Sequence, residues 1–98
     1  MIKVNINKGL ITVSGHANYK EYGSDIVCAS VSSIIYTTVN GILNIDNNSV
    51  KFSDDSKLLK IQIIDNNKIV KKLINNMIEL LEDLENQYPE NLKIVKGD

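Results

Sequence analysis

The sequence predicts an α+β fold in the order β-β-α-β-β-α-β, with two helices packed on a mixed or antiparallel sheet. Short segments alternating apolar and polar residues open the chain and recur near its middle and its end. Two longer segments repeat apolar residues every three to four positions, the helical period. A chain of 98 residues with 43% apolar content can also bury one core without metal or disulfide staples, so residues 1–98 are expected to form a single domain.

The segments "IKVNI" (Ile2 to Ile6) and "LITVS" (Leu10 to Ser14) alternate in the strand period, with Lys8-Gly9 as a turn between them. They predict a hairpin. The second strand runs into Gly15-His16 and then into the loop "ANYKEYGS", Ala17 to Ser24. Helical spacing begins near Asp25: Val27, Val31, Ile34, Ile35, Val39, Ile42 and Leu43 fall on one broad face, with Ser30, Ser33, Thr37, Asn40 and Asn44 opposite. Ser24 or Asp25 can cap the start, and Asn44 to Asn48 supply stop signals. The β-branched content lowers intrinsic helix propensity by a few tenths of a kcal/mol per residue, roughly, so tertiary burial must hold this helix. A buried strand from Ile26 to Val31 is the rival assignment, and it explains the later small residues poorly.

"SVKF" (Ser49 to Phe52) reads as a short strand and "KLLKIQII" (Lys57 to Ile64) as a better one, with Leu59, Ile61 and Ile63 on one face. "DNN" (Asp65 to Asn67) makes a turn that can cap a second helix. Its apolar positions Ile69, Leu73, Met77, Leu80, Leu81, Leu84 and Tyr88 keep helical spacing until Pro89, which disfavours helical backbone at Tyr88. "LKIV" closes as a final strand. The second helix carries Lys68, Lys71 and Lys72 near its N-terminus and Glu79, Glu82, Asp83 and Glu85 near its C-terminus. That order opposes the helix dipole, at about 0.3–1 kcal/mol per exposed charge in low salt. A solvated face, tolerated because the opposite stripe is buried, is the preferred reading; a charged contact surface is the other.

The totals exclude several classes. The net charge is −1 and the eleven basic residues are dispersed along the chain, which argues against nucleic acid as a direct ligand. No cationic leader precedes an apolar run, and no stretch is read as approaching the roughly 20 apolar residues of a membrane span, so no membrane partner is expected. A lone cysteine suits a reducing compartment, and the cytoplasm is the expected location.

The chemistry available lies in "SGHANYKEYGSDIVCASVSS", Ser14 to Ser33, which holds the chain's one histidine and one cysteine. A thiol reacts as its thiolate, and an unperturbed cysteine, with a pKa near ~8.5, is little ionised at neutral pH. With a helix starting at Asp25, Cys28 would lie in the first turn, where unpaired backbone N–H groups carry partial positive charge. His16 could accept the proton if its strand lies beside that helix end, with Gly15 and Gly23 marking the bends. The Cys28 N–H and a neighbouring one could also hold an oxyanion. Asp25 is expected either to cap the helix or to orient His16 through a ring N–H. Ser32, one turn after Cys28, could hydrogen-bond near the sulfur, or bond a carbonyl of its own helix. The competing readings are a buried core cysteine in a non-catalytic binding module and a redox-sensing thiol. One His and one Cys make a poor zinc set, and the loop lacks the glycine series and lysine of a phosphate cradle.

These residues resemble the ribosomal-processing cysteine protease family (Prp) of Firmicutes and related bacteria. The family pattern of Gly-His-Ala, a short loop with glycine, Asp-x-Val-Cys-Ala and a serine three residues later appears here as Gly15–Ala17, Gly23, Asp25–Ala29 and Ser32. Ser30 departs from the alanine of many members. The resemblance implies a Cys–His endopeptidase without cofactor or metal, with Cys28 as nucleophile and His16 as general base. It implies a substrate as well: the N-terminal extension of large-subunit ribosomal protein twenty-seven, cut at an aromatic-containing motif. It further implies a homodimer with a mobile loop between the catalytic residues, here Ala17, Asn18, Tyr19, Lys20, Glu21 and Tyr22, that orders around substrate. Tyr19 and Tyr22 could meet an aromatic substrate side chain, with solvent-facing tyrosines as the alternative.

Overall fold

The computed structural model describes residues 1–15, 22–55, 57–65 and 67–97, with only the helical backbone described for 22–25. Strands β1 (Ile2–Asn7) and β2 (Leu10–Ser14) form the expected hairpin, followed by helix α1 (Tyr22–Ile45). Strands β3 (Val50–Asp54) and β4 (Leu58–Ile63), helix α2 (Lys68–Gln87) and strand β5 (Leu92–Lys96) complete the expected order. The sheet runs β3-β4-β2-β1-β5. It is mixed: β1 and β5 pair in parallel, with Val4 opposite Ile94, and the other three pairings are antiparallel.

Alternation along the strands decides which side is covered. Ile2 and Val4, Ile11 and Val13, and Leu59 and Ile61 point to the helices and are buried, while the residues between them face away. On α1, Val27, Val31, Ile35, Val39 and Ile42 are all at most 1% exposed, and each such side chain stabilises the fold by roughly 1.5–3 kcal/mol relative to exposure. That burial offsets the weak propensity of a β-branched helix. The segment Ile26–Ile45 is uncharged and is long and apolar enough, by length and composition, to cross a membrane, contrary to the sequence expectation. Here its apolar stripe is buried in the core it shares with the sheet.

Helix α2 begins as expected. The Asn67 side chain accepts from the Val70 N–H at 3.0 Å, and the helix ends at Gln87 with Tyr88 as its cap, ahead of Pro89. Its buried stripe is displaced from the expected one: Val70, Ile74, Met77, Leu81 and Leu84 are inside, whereas Ile69 and Leu80 are exposed. The reversed charges of α2 have partners on β5. Glu85 accepts the backbone N–H of Ile94 at 2.8 Å, satisfying a donor of the edge strand, and Glu82 meets Lys96 at 2.9 Å. The Glu82–Lys96 pair is solvent-exposed and contributes little to stability.

Candidate active site

Strand β2 delivers the chain to Gly15, whose φ of +79° lies in the left-handed region. A Cβ built there would strike the backbone carbonyl of Met1. Glycine is therefore required on two counts, and it sets the direction in which the chain leaves the sheet toward His16. His16 itself, and the expected substrate-loop residues Ala17, Asn18, Tyr19, Lys20 and Glu21, lie outside the described residues.

Helix α1 begins at Tyr22, three residues before the expected start. Nothing between Gly15 and Asp25 is proline, and once a helix has nucleated each added residue gains one hydrogen bond. Tyr22, Gly23, Ser24 and Asp25 are thus helical in their backbones, and their side chains lie outside the described residues. This corrects three expectations. Tyr22 belongs to the helix and not to the substrate loop, Gly23 does not mark a bend, and neither Ser24 nor Asp25 stands at the cap position.

Cys28 is corrected with them. It is the seventh helical residue rather than a first-turn one. In an α-helix the N–H groups that lack intrahelical partners are those of the cap and the first three helical residues, and that of Cys28 belongs to the i→i−4 ladder. The side chain lies on the buried stripe of α1, 5% exposed, in the cluster that includes Val27 and Val31. Ser32, half-buried, follows one turn later on the same side.

Two residues absent from the sequence expectations continue this face. Tyr36, two turns after Cys28, donates its phenol O–H to the Asp54 carboxylate at 2.6 Å. Its ring packs edge-on against Phe52, with centroids 5.1 Å apart. The hydrogen bond to Asp54, with some desolvation and the carboxylate's charge, holds the Tyr36 phenol above its ordinary pKa. At the adjoining turn the backbone N–H groups of Leu58 and Lys57 donate to Asp55, which lowers its carboxyl pKa. The spacing of Tyr36 from Cys28 was the available signal. Asp54 had none, because it reaches α1 only through the β3–β4 pairing. Among the described residues, no three His, Cys, Asp or Glu side chains gather to hold a metal ion.

The fold and this arrangement have counterparts among known proteins. Residues 1–93 match the family model described as cysteine protease Prp. The ribosomal processing cysteine protease Prp of Staphylococcus aureus is 31% identical over 103 residues, covering 96% of this chain and 97% of that protein. The protein of the same name from Mycoplasma genitalium is 29% identical over 96 residues, covering 96% of this chain and 94% of its own. A crystal structure of the S. aureus protease Prp in complex with a substrate peptide superposes with a TM-score of 0.91 at 28% identity, over 99% of this chain and 100% of that one. With the family match running from the first strand into the last, and with relatives covered over nearly their whole length, the chain belongs to the cysteine protease Prp family.

Proposed function

We propose that this chain, acting as one protease domain over residues 1–98, removes the N-terminal extension of large-subunit ribosomal protein twenty-seven. Cys28 is the nucleophile and His16 the general base. The observation that carries the assignment is arithmetic: a cysteine protease needs a cysteine, and Cys28 is the single one in the sequence. End-to-end likeness to relatives named ribosomal processing proteases supports the substrate class. So does likeness to the S. aureus protease solved with a covalently linked product peptide, at a TM-score of 0.85 and 30% identity.

In this reading the Cys28 thiol gives its proton to the His16 imidazole, and the thiolate attacks the scissile carbonyl carbon. The tetrahedral intermediate collapses as the imidazolium returns the proton to the leaving amine. A thioester remains, which water hydrolyses with His16 again as base. Asp25 acts as a positioning residue for the His16 ring, Gly15 aims the chain at it, and residues 17–21 serve as the substrate loop. The protein works as a homodimer in the cytoplasm, without a cofactor.

The test is cleavage of a synthetic peptide spanning the extension junction, followed by mass spectrometry. Cys28→Ala should abolish cleavage, and His16→Ala should lower kcat/KM by about 10²–10⁴. Undiminished cleavage by the Cys28→Ala variant removes the nucleophile, and cleavage at unrelated sites removes the substrate. Light scattering on the eluting protein checks the dimer.

A further inference from the structure

Strand alternation places four of the five sheet lysines on the side that carries no helix, the fifth being Lys96, which meets Glu82 on the helix side. Lys3 on β1, Lys51 on β3, Lys60 on β4 and Lys93 on β5 all stand on that open face, and all four are exposed. The pairing register fixes their common side: Lys3 lies opposite Lys93, Thr12 opposite Lys60, and Lys51 opposite Gln62. No Asp, Glu or aromatic residue occupies a strand position on this face. Between Lys51 and Lys60, with Ser53 and Gln62 also lining it, the surface dips into a shallow hollow of about 510 Å³. Phe52, the aromatic at this edge, turns its ring to Tyr36 on the helix side.

Two features set this apart from an ordinary solvated face. Lys3 and Lys93 are direct register partners on neighbouring strands, an arrangement of like charges that destabilises a sheet. The chain as a whole is also slightly acidic, with Glu79, Glu82, Asp83 and Glu85 gathered on α2. The fold therefore gathers four lysines, scattered along the sequence, onto a face without acids, whereas α2 carries Lys68, Lys71 and Lys72 along with its four acids.

We infer that the open face of the sheet docks the phosphate backbone of double-stranded RNA. The choice of RNA over other polyanions rests on the ribosomal-precursor reading above. Four cations spread over a sheet about 19 Å wide, at a strand spacing of about 4.8 Å, match a duplex presenting phosphates on both sides of a groove. Polar neighbours such as Asn5, Thr12 and Gln62 can donate to phosphate and sugar oxygens. The absence of an aromatic platform on the strands argues against splayed single-stranded bases, which need ring stacking. Binding of this kind reads charge and shape, not sequence.

The probe is a fluorescein-labelled 20-base-pair RNA duplex, titrated by fluorescence anisotropy between 50 and 200 mM potassium chloride. Release of counterions from four phosphates predicts a log–log salt slope of about −3 to −4, a fall in affinity of roughly 10² across that range. A Lys3→Gln/Lys93→Gln pair should flatten the slope by about two, while Lys71→Gln/Lys72→Gln on α2 should leave it unchanged. Both pairs should still cleave the junction peptide at the unsubstituted rate. Peptide cleavage without RNA binding at 50 mM salt sinks the RNA face alone, and RNA binding without cleavage sinks the protease reading alone. The docking proposal is also overturned if the Lys3/Lys93 pair binds RNA as tightly as the unsubstituted chain. It fails equally if those lysines govern binding to phosphatidylglycerol vesicles, or self-association through the acids of α2, in place of RNA.

Discussion

Replacing Gly15 with alanine tests how the fold aims the catalytic segment. Two costs arise from one methyl group. At φ of +79° a residue with a Cβ loses about 1–2 kcal/mol relative to glycine. The Cβ also overlaps the Met1 carbonyl, a backbone atom that no rotamer change can remove, and forced overpacking costs about 1–3 kcal/mol. Met1 is 65% exposed and precedes the first paired residue of β1, so part of the clash can relax by moving the chain end, which favours the lower half of that range. A total of about 2–4 kcal/mol lowers Tm by roughly 10–25 °C in a domain of this size. Activity should suffer separately, because the shifted bond is the one that leads into His16. A misplacement near 1 Å in a catalytic group can cost about 10²-fold, so kcat/KM on the junction peptide should fall at least about tenfold at a temperature where the variant is fully folded. Calorimetry and peptide cleavage read the two effects. Gly15→Asn separates the causes, since asparagine tolerates the left-handed region yet meets the same carbonyl. A Gly15→Ala protein that melts within 2 °C of the unsubstituted chain, approximately, and cleaves at the same rate would refute the reasoning.

The contrasting glycine is Gly41, inside α1, where an added Cβ meets nothing within 4 Å; Gly41→Ala should raise stability by about 1 kcal/mol, read as a rise in Tm of about 4–8 °C. Asn67→Ala removes the acceptor for the Val70 N–H and should cost about 1 kcal/mol in urea unfolding, with peptide cleavage unchanged. The Tyr36 phenol, raised by its hydrogen bond to Asp54, has a higher pKa folded than unfolded, so its contribution is fully present below the unfolded value and is lost as pH rises through the folded one. Absorbance at 295 nm, with Tyr36→Phe to identify the signal among four tyrosines, should show earlier ionisation in Asp54→Asn; identical titrations would reject the bond.

Periodicity was enough to read every element, because both helices sustain their apolar repeat over many turns and the strands alternate cleanly. It did not settle the rotation of α2. Two apolar stripes one residue apart run along that helix, and which is buried depends on the face that meets the sheet, so Val70 and Ile74 took the places expected for Ile69 and Leu80. Strand order was illegible for a related reason: β1 pairs with β5 from the far end of the chain, and nothing local records that. In the site, uniqueness singled out His16 and Cys28, while the Tyr36–Asp54 bond joins α1 to the end of β3 and exists only once the sheet has formed. The start of α1 was obscured by composition, since Tyr22, Gly23 and Ser24 read as loop residues and became helical by extension of a helix secured further on.

That earlier start changes which forces can ionise the thiol. Cys28 lies six residues inside α1, about 9 Å along the axis from Tyr22, and the field of a helix end fades within the first turn. Its own N–H is committed to the helix, so it is not a spare donor for an oxyanion. Under the proposed mechanism the imidazole must then supply nearly all the activation, and the two sources of activation make opposite forecasts. If His16 draws the proton, the pH midpoint for alkylation of Cys28 by iodoacetamide moves upward in His16→Ala and the low-pH arm of the profile disappears. If the helix end were responsible, the midpoint would stay where it is when the imidazole is removed, because the backbone dipoles are unaltered. An unmoved midpoint, with the variant folded by circular dichroism, would return the thiolate to the helix and leave His16 only the later task of protonating the leaving amine.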